Sequence, residues 1–117
     1  MLIVNPSADT PIVQLSVLDS ESPADHFAMG LALSRLRDSN IAIIGSGFAT
    51  FHNMRHFFSG ITYELAFRTK SDAWSEAVGA AMAEPHAQKR AESIKSWRTW
   101  PHAYDMHPRG GAEHFLP

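Results

Sequence analysis

Seven histidines and no cysteine define the chemistry available to this chain of 117 residues. Histidine and carboxylate side chains are therefore its strong metal ligands, and histidine is also the side chain best suited to proton transfer near neutral pH. The histidines of interest fall in two segments, residues 52–56 and residues 107–114. These two segments are therefore the candidates for metal binding and for acid–base chemistry.

The first histidine segment follows a glycine turn. Gly45-Ser46-Gly47 comes directly after an apolar run, and His52 lies five residues past it, next to Asn53. In α/β proteins such a turn at the end of a buried strand lies at the ligand-binding edge of the sheet, where His52 would serve as an acid or base. A packing or surface histidine is the alternative. His52 and His56 could also share a helical face, but the glutamate of the metalloprotease motif is missing, so a joint metal site is the weaker interpretation.

The second histidine segment is a glycine-containing loop. His107 and His114 flank PRGGAE, and the two glycines would let the loop fold back against the end of a sheet. Glu113, next to His114, adds a carboxylate that could bind a metal or orient an imidazole. Two or three such ligands with open coordination positions suit non-haem iron or zinc. The alternative is a frayed C-terminal tail with incidental histidines.

The other polar and aromatic candidates give weaker signals. His26 lies on the first predicted helix and would face either the sheet edge or solvent. His86 and His102 are predicted to be surface residues. The tryptophans are predicted to pack in the core rather than to form a cofactor site; they are Trp74, Trp97 and Trp100. Three arginines could bind a substrate carboxylate or could simply be solvated; they are Arg55, Arg68 and Arg109.

The first part of the chain has the pattern of a βαβ unit. Residues 11–18 (PIVQLSVL) are rich in β-branched side chains and predict a strand. Ser22 can cap a helix that has Pro23 in its first turn and runs to about Arg37. Phe27 and Leu31 belong to its predicted apolar face. Residues 41–44 (IAII) predict a parallel strand buried on both faces. The expected fold is therefore α/β, with a central, mostly parallel sheet.

The rest of the chain predicts helices and then a loop. Residues 71–83 and 85–98 predict two helices separated at Glu84, and a loop follows from residue 99. Ser71 or Asp72 can cap the first of these helices. Only two strands are evident, although a buried parallel strand needs neighbours on both edges and helices on both faces. We therefore interpret residues 1–117 as a single partial domain, truncated from a larger three-layer domain.

Composition excludes several classes of protein. Ten basic and twelve acidic residues give a net charge of −2, so the basic surface typical of nucleic-acid binding is not expected. The apolar runs fall short of the roughly 20 residues that span a bilayer, so no membrane association is expected. No cationic segment precedes an apolar stretch at the N-terminus, which predicts a cytoplasmic location.

Four segments taken in order resemble one enzyme family. They are ADTPIVQLSV, DHFAMGLALSRLRD, IAIIGSGFATFHNMR and HPRGGAEHFLP, and together they cover nearly the whole chain. They are similar to the C-terminal half of the class III extradiol ring-opening dioxygenases of the DOPA-dioxygenase type, a family related to the catalytic subunit of protocatechuate 4,5-dioxygenase. The resemblance implies an α/β domain with a metal at the sheet edge, usually Fe(II) and in some members zinc. It also implies a reaction that inserts both atoms of O₂ next to the two hydroxyls of a catechol and opens the ring.

The resemblance also implies roles for individual residues. His52 matches the family's acid–base histidine and His114 a metal-ligand histidine, whereas His26 matches a recurrent histidine without an assigned role. The family's other metal ligands lie in Gly-His-Gly and Ser-Ala-His motifs of the N-terminal half, and neither motif occurs here. We therefore expect the chain alone to be inactive and to need a partner chain or the missing N-terminal half. The alternatives are a non-catalytic remnant or subunit that binds a partner, and another metal enzyme, such as a hydrolase, on a related scaffold.

Overall fold

The computed structural model describes residues 5–45, 47, 50–112 and 115–116. Within these ranges every regular element is a helix. The α-helices are α1 (Pro23–Ser34), α2 (Met54–Ser59), α3 (Leu65–Ala83), α4 (Ala87–Lys95) and α5 (Ala103–Met106). Short 3₁₀-helices span Arg35–Ser39, Ile61–Tyr63 and Trp97–Thr99.

The predicted α/β fold with a central parallel sheet is wrong for this structure. Residues 11–18 and 41–44 have no regular secondary structure, and the described ranges contain no strand. Their apolar side chains are largely exposed, as with Val13 at 90 % and Ile44 at 67 %. A strand exists only through hydrogen bonds to a neighbouring strand, and an apolar strand also needs cover on its faces. The described residues supply neither, so β-forming composition alone did not produce a sheet.

The first predicted helix is present but shorter than expected. Ser22 caps α1 as predicted, because its hydroxyl accepts a hydrogen bond from the backbone N–H of Asp25 at 3.3 Å. The α-helix ends at Ser34, before the predicted Arg37, and continues as a 3₁₀-helix that stops at Asn40 in the left-handed conformation. The predicted apolar face of α1 is not buried: His26 is its one buried residue, and Leu31 is 57 % exposed.

Helix α3 begins six residues earlier than the cap signals at Ser71 and Asp72 predicted. Its buried residues Phe67, Trp74 and Ala81 are seven apart and therefore lie on one face. This packing face extends the helix through the predicted capping positions. The break at Glu84 is confirmed, and α4 follows it from Ala87 to Lys95.

An aromatic core joins α3 to the C-terminal segment. Trp74 and Trp97 are fully buried with ring centroids 6.0 Å apart, which confirms the prediction that the tryptophans pack. Phe115 lies 5.2 Å from Trp74 and 4.9 Å from Trp97. The C-terminal segment was predicted to be a loop, but it contains α5 and contributes Met106, which is fully buried. The described part of this segment is therefore not a frayed tail.

The chain is more open than a typical compact domain of its size. Its Cα radius of gyration is 16.1 Å, whereas a compact domain of this length has a value of about 13 Å. The aromatic core accounts for the packed part, and the apolar side chains of residues 11–17 and 41–44 remain outside it. Within the described ranges, no helix is both long and apolar enough to cross a membrane.

Candidate functional site

An open cleft of about 600 Å³ lies beside the aromatic core. One wall consists of residues 52–56, which lead into and begin α2. The other wall consists of Tyr104 and Asp105 on α5 together with residues 108–111. A volume of this size is typical of small-molecule sites. The cleft therefore combines the first histidine segment with the loop of the second.

Asn53 fixes one wall of the cleft to the other. Its side chain is nearly buried, and its Nδ2 donates to the backbone carbonyl of Asp105 at 2.8 Å. Its Oδ1 caps α2 by accepting from the backbone N–H of His56 at 3.3 Å. Nδ2 also lies 3.3 Å from His56 Nδ1, which then accepts this second hydrogen bond. Each polar atom of the Asn53 amide is thus engaged.

His52 lies on the same wall and is half-buried. Its backbone N–H donates to the carbonyl of Met106 at 3.0 Å, one residue from the carbonyl that Asn53 holds. His56 also lines the cleft, and its ring contacts Phe67 edge-on at 5.8 Å. Since α2 begins at Met54, His52 precedes the helix and does not share a helical face with His56. The structure therefore brings both histidines to the cleft without the helical pairing considered from the sequence.

His107 lies in the core and not on the cleft. Its side chain is fully buried, and its ring centroid lies 5.4 Å from Trp74, 6.2 Å from Trp97 and 4.9 Å from Phe115. The sequence did not separate His107 from the other candidate ligands. The reason is that α5 and the aromatic core, which determine its burial, are set by contacts with α3 across more than 30 residues.

His26 is buried rather than solvated, and the described residues form no sheet edge for it to face. Its Nε2 donates to the carbonyl of Ser20 at 2.7 Å, so it ties the start of α1 to the residues before it. His86 and His102 are exposed, as predicted. The proposed ligand His114, its neighbour Glu113, and Ser46 of the glycine turn lie outside the described residues.

Charged groups of both signs surround the cleft. Lys70 and His102 contact the Asp105 carboxylate at 3.1 and 3.2 Å. Burial alone would raise the pKa of Asp105, but these hydrogen bonds outweigh it and hold the pKa below its ordinary value. Arg55 and Arg109 also line the cleft, and the Arg109 guanidinium lies 5.1 Å from the centre of the Tyr104 ring. Arg68 is an exposed residue of α3 outside the cleft lining.

Tyr104 and Asp105 were not predicted as site residues from the sequence. Neither stands in a recognisable motif, and both reach the cleft because α5 packs beside the segment of His52, half the chain away. A metal site is not complete in this part of the chain: among the described residues, no three histidine, aspartate or glutamate side chains lie together in a way that could hold a metal ion.

Comparison with known proteins identifies relatives over the whole chain. The chain is 42% identical over 121 residues to a protein of Hapsidospora irregularis named dioxygenase tasH, with 100% of the chain and 37% of the relative covered. It is 32% identical to the 4,5-DOPA dioxygenase extradiol of Escherichia coli K12 and 30% identical to that of Beta vulgaris, with 96% of the chain covered in both. By sequence, the chain belongs to this extradiol dioxygenase family.

The chain spans about two fifths of the length of the curated relatives it matches, with 37% to 43% of each relative covered. No family profile matches the chain, and no solved structure does. The resemblance found in the four sequence segments is thus confirmed by these relatives.

Proposed function

We propose that this chain is part of an extradiol ring-cleavage dioxygenase that acts on a catechol-type aromatic substrate. In the proposed reaction both atoms of O₂ are inserted next to the two hydroxyls, and the ring opens. The names of the relatives support this class of reaction, and two of them specify DOPA as the substrate of those proteins. The cleft of about 600 Å³ supports it independently, because it has room for a single aromatic ring with small substituents.

The position of His52 and Asn53 carries this proposal. They are the histidine and asparagine of the segment that resembles the family's acid–base motif, and both line the cleft. The backbone N–H of His52 and the Asn53 amide are bound to α5, so this wall is held in place before a substrate enters. We propose that the His52 imidazole exchanges a proton with a hydroxyl of the catechol.

A non-haem metal belongs to this proposal, with Fe(II) as the first candidate and zinc as the second. The described residues do not form a metal site by themselves. We propose His114 as one ligand and expect the others from the part of the relatives that this chain does not match. A two-histidine, one-carboxylate set or a similar set of three ligands suits Fe(II).

A second candidate is a non-catalytic subunit of the same family that binds a partner chain. The exposed apolar side chains of residues 11–17 and 41–44 favour this candidate, since apolar groups exposed in such number are typical of interaction surfaces. In this case the cleft would be present but would not catalyse a reaction. Both candidates require a partner, and they differ in whether the assembled protein takes up oxygen.

Oxygen uptake with metal analysis separates the two candidates. The assay compares the chain alone with the chain supplied with the N-terminal portion of the Hapsidospora irregularis relative, each with catechol and with Fe(II) or zinc. We expect oxygen uptake and ring-opened product only in the assembled protein. An assembled protein that binds metal and catechol but takes up no oxygen would overturn the enzymatic proposal in favour of the subunit. Ring cleavage by the chain alone would contradict the requirement for a partner.

A further inference from the structure

The loop that forms one wall of the cleft is held at both ends by two charged side chains from elsewhere in the chain. At its start, the Arg98 guanidinium donates to the carbonyls of His107 and Pro108, the second at 3.4 Å. At its end, Glu21 Oε1 accepts from the backbone N–H groups of Gly111 and Ala112, both at 3.1 Å. Glu21 is 90 residues away from Gly111 in sequence, so the contact depends on tertiary structure.

The two charged side chains also bind each other. Arg98 Nη2 donates to Glu21 Oε2 at 3.2 Å, and the side chains retain 21 % and 33 % of their exposure. Burial lowers the pKa of Arg98, and attraction to Glu21 opposes that shift. Because the pair is partly shielded from water, its hydrogen bonds are stronger than those of an exposed surface pair. The pair therefore connects the two ends of the loop through a single charge-assisted network.

Glu21 is itself held in place. It directly precedes the Ser22 cap of α1, and the buried His26 binds the carbonyl of Ser20 on its other side. The loop that it holds is also tightly folded. Gly110 has φ +71°, and a Cβ added to Gly111 would lie 3.3 Å from Pro108 Cγ. The Glu21–Arg98 pair therefore contacts both ends of a tightly folded loop.

We propose that Glu21, through its pairing with Arg98, is a positioning residue that fixes the 108–111 wall of the cleft opposite His52. This inference rests on the proposed function, because the wall that Glu21 positions would bind the substrate in that cleft. Glu21 does not itself line the cleft. Its effect is exerted through the backbone of Gly111 and Ala112, so its removal should weaken substrate binding more than it slows the chemical step.

The first test measures the loop in the 117-residue chain. Amide hydrogen exchange is compared in the unmodified chain, Glu21→Ala, Glu21→Gln and the control Glu76→Ala, which changes an exposed glutamate of α3. We expect exchange at Ala112 to rise about tenfold or more in Glu21→Ala, while exchange within α3 stays unchanged. Exchange at Gly111 should rise less, because its N–H also donates to the Pro108 carbonyl at 3.1 Å. Glu21→Gln should have a smaller effect, because its carbonyl still accepts from both amides. Equal exchange at Gly111 and Ala112 in all four proteins would overturn the inference.

The second test measures steady-state kinetics after assembly with the N-terminal portion. We expect Glu21→Ala to raise KM for the catechol by about tenfold with a smaller change in kcat, Glu21→Gln to show a partial effect, and Glu76→Ala none. If Glu21→Ala raises the amide exchange in the loop but leaves the KM of the assembled protein unchanged, the role of Glu21 is purely structural. That result would overturn the inference. If the assembly with the unmodified chain opens no catechol, the proposed function fails and the positioning role falls with it.

Discussion

The Asn53 side chain and the backbone of Asp105 are joined across the cleft by a hydrogen bond of 2.8 Å between residues 52 positions apart. The neighbouring bond from the His52 N–H to the Met106 carbonyl runs between the same two segments. Since α5 is only four residues long, it cannot be stable on its own and depends on such contacts. The wall that carries His52 and the helix that carries Tyr104 and Asp105 are therefore one structural unit.

The Asn53 contacts predict a measurable loss of stability. Asn53→Ala removes both the cap of α2 and the bond to the Asp105 carbonyl, so we expect the free energy of unfolding to fall by about 1–3 kcal/mol. Asn53→Asp should keep the cap but lose the cross-cleft bond, because a carboxylate cannot donate to a carbonyl. Urea unfolding measures both, with Met54→Ala as the control next to it. An equal effect of Asn53→Ala and Met54→Ala would show that the amide contributes nothing specific.

Separate roles are predicted for His52 and His114 in the assembled protein. His52→Ala should lower turnover by about 10²–10⁴ and leave the metal content near that of the unmodified protein, as expected for a lost acid–base group. His114→Ala should lower the metal content itself. His86→Ala serves as the control, because that side chain is 70% exposed. The measurements are kcat and metal per protein, and the opposite pattern would mean that the two roles are exchanged.

Local signals in the sequence predicted local structure well. Ser22 and Pro23 marked the start of α1 correctly because capping depends on neighbouring residues alone. The signals at Ser71 failed because the packing face that runs through Phe67 and Trp74 overrides a capping preference inside a helix. Residues 11–18 have the composition of a strand, but a strand also needs a partner, which composition cannot supply.

The candidate site was predictable only in part for the same reason. His52 and Asn53 were found from a turn-and-histidine pattern and the family resemblance, and both line the cleft. Asp105 and Glu21 have no local signal, since the bonds that bring them to the cleft walls join Asp105 to Asn53, 52 residues away, and Glu21 to Ala112, 91 residues away. His107 looked equivalent to the other histidines until the aromatic core showed that its ring is enclosed.

The aromatic core predicts a large loss of stability when the Trp74 side chain is truncated. Its ring contacts Trp97, Trp100, His107 and Phe115, with centroid distances of 5.2–6.0 Å. Truncation to alanine would leave a cavity among these rings, so Trp74→Ala should lower the free energy of unfolding by about 3–5 kcal/mol. Tyr63→Ala, at a side chain 89% exposed, is the control. A thermal unfolding midpoint for Trp74→Ala close to that of the control would contradict this assignment of the core.

The lowered pKa of Asp105 predicts a pH-dependent contribution to stability. A carboxyl with a lower pKa in the folded state favours folding above its unfolded pKa of about 3.9, and the contribution is lost as the pH falls through the folded pKa. Because Lys70 and Asp105 are both more than a third exposed, the contribution should stay below about 1 kcal/mol.

The variant Asp105→Asn isolates this contribution, since it keeps the backbone carbonyl that Asn53 binds. Its free energy of unfolding should fall below that of the unmodified chain above about pH 5, and the two should converge towards pH 3. Asp72→Asn, on the exposed surface of α3, is the control. If the difference in free energy of unfolding between the two proteins grows as the pH is lowered, the ion pairs with Lys70 and His102 are not the source of that difference.

The exposed apolar segments predict self-association of the isolated chain. Val13, Leu15, Ile43 and Ile44 are between 49 % and 90 % exposed and lie outside the aromatic core. Removal of such side chains from water contributes about 25 cal/mol per Å² of apolar area, so contact between copies is favoured when nothing else covers them. We expect concentration-dependent dimers or larger species in sedimentation velocity, and strong binding of a hydrophobic dye.

The charged double variant Val13→Lys/Ile44→Lys should shift the chain towards monomer. The control Tyr63→Lys, at an aromatic residue of the 3₁₀-helix Ile61–Tyr63 that is as exposed as Val13, should not. Addition of the N-terminal portion of a relative should suppress both signals in the unmodified chain, because an intramolecular or partner contact competes with self-contact for the same side chains. A monomer at all concentrations, with one sharp unfolding transition and no dye binding, would mean that these side chains are accommodated without a partner.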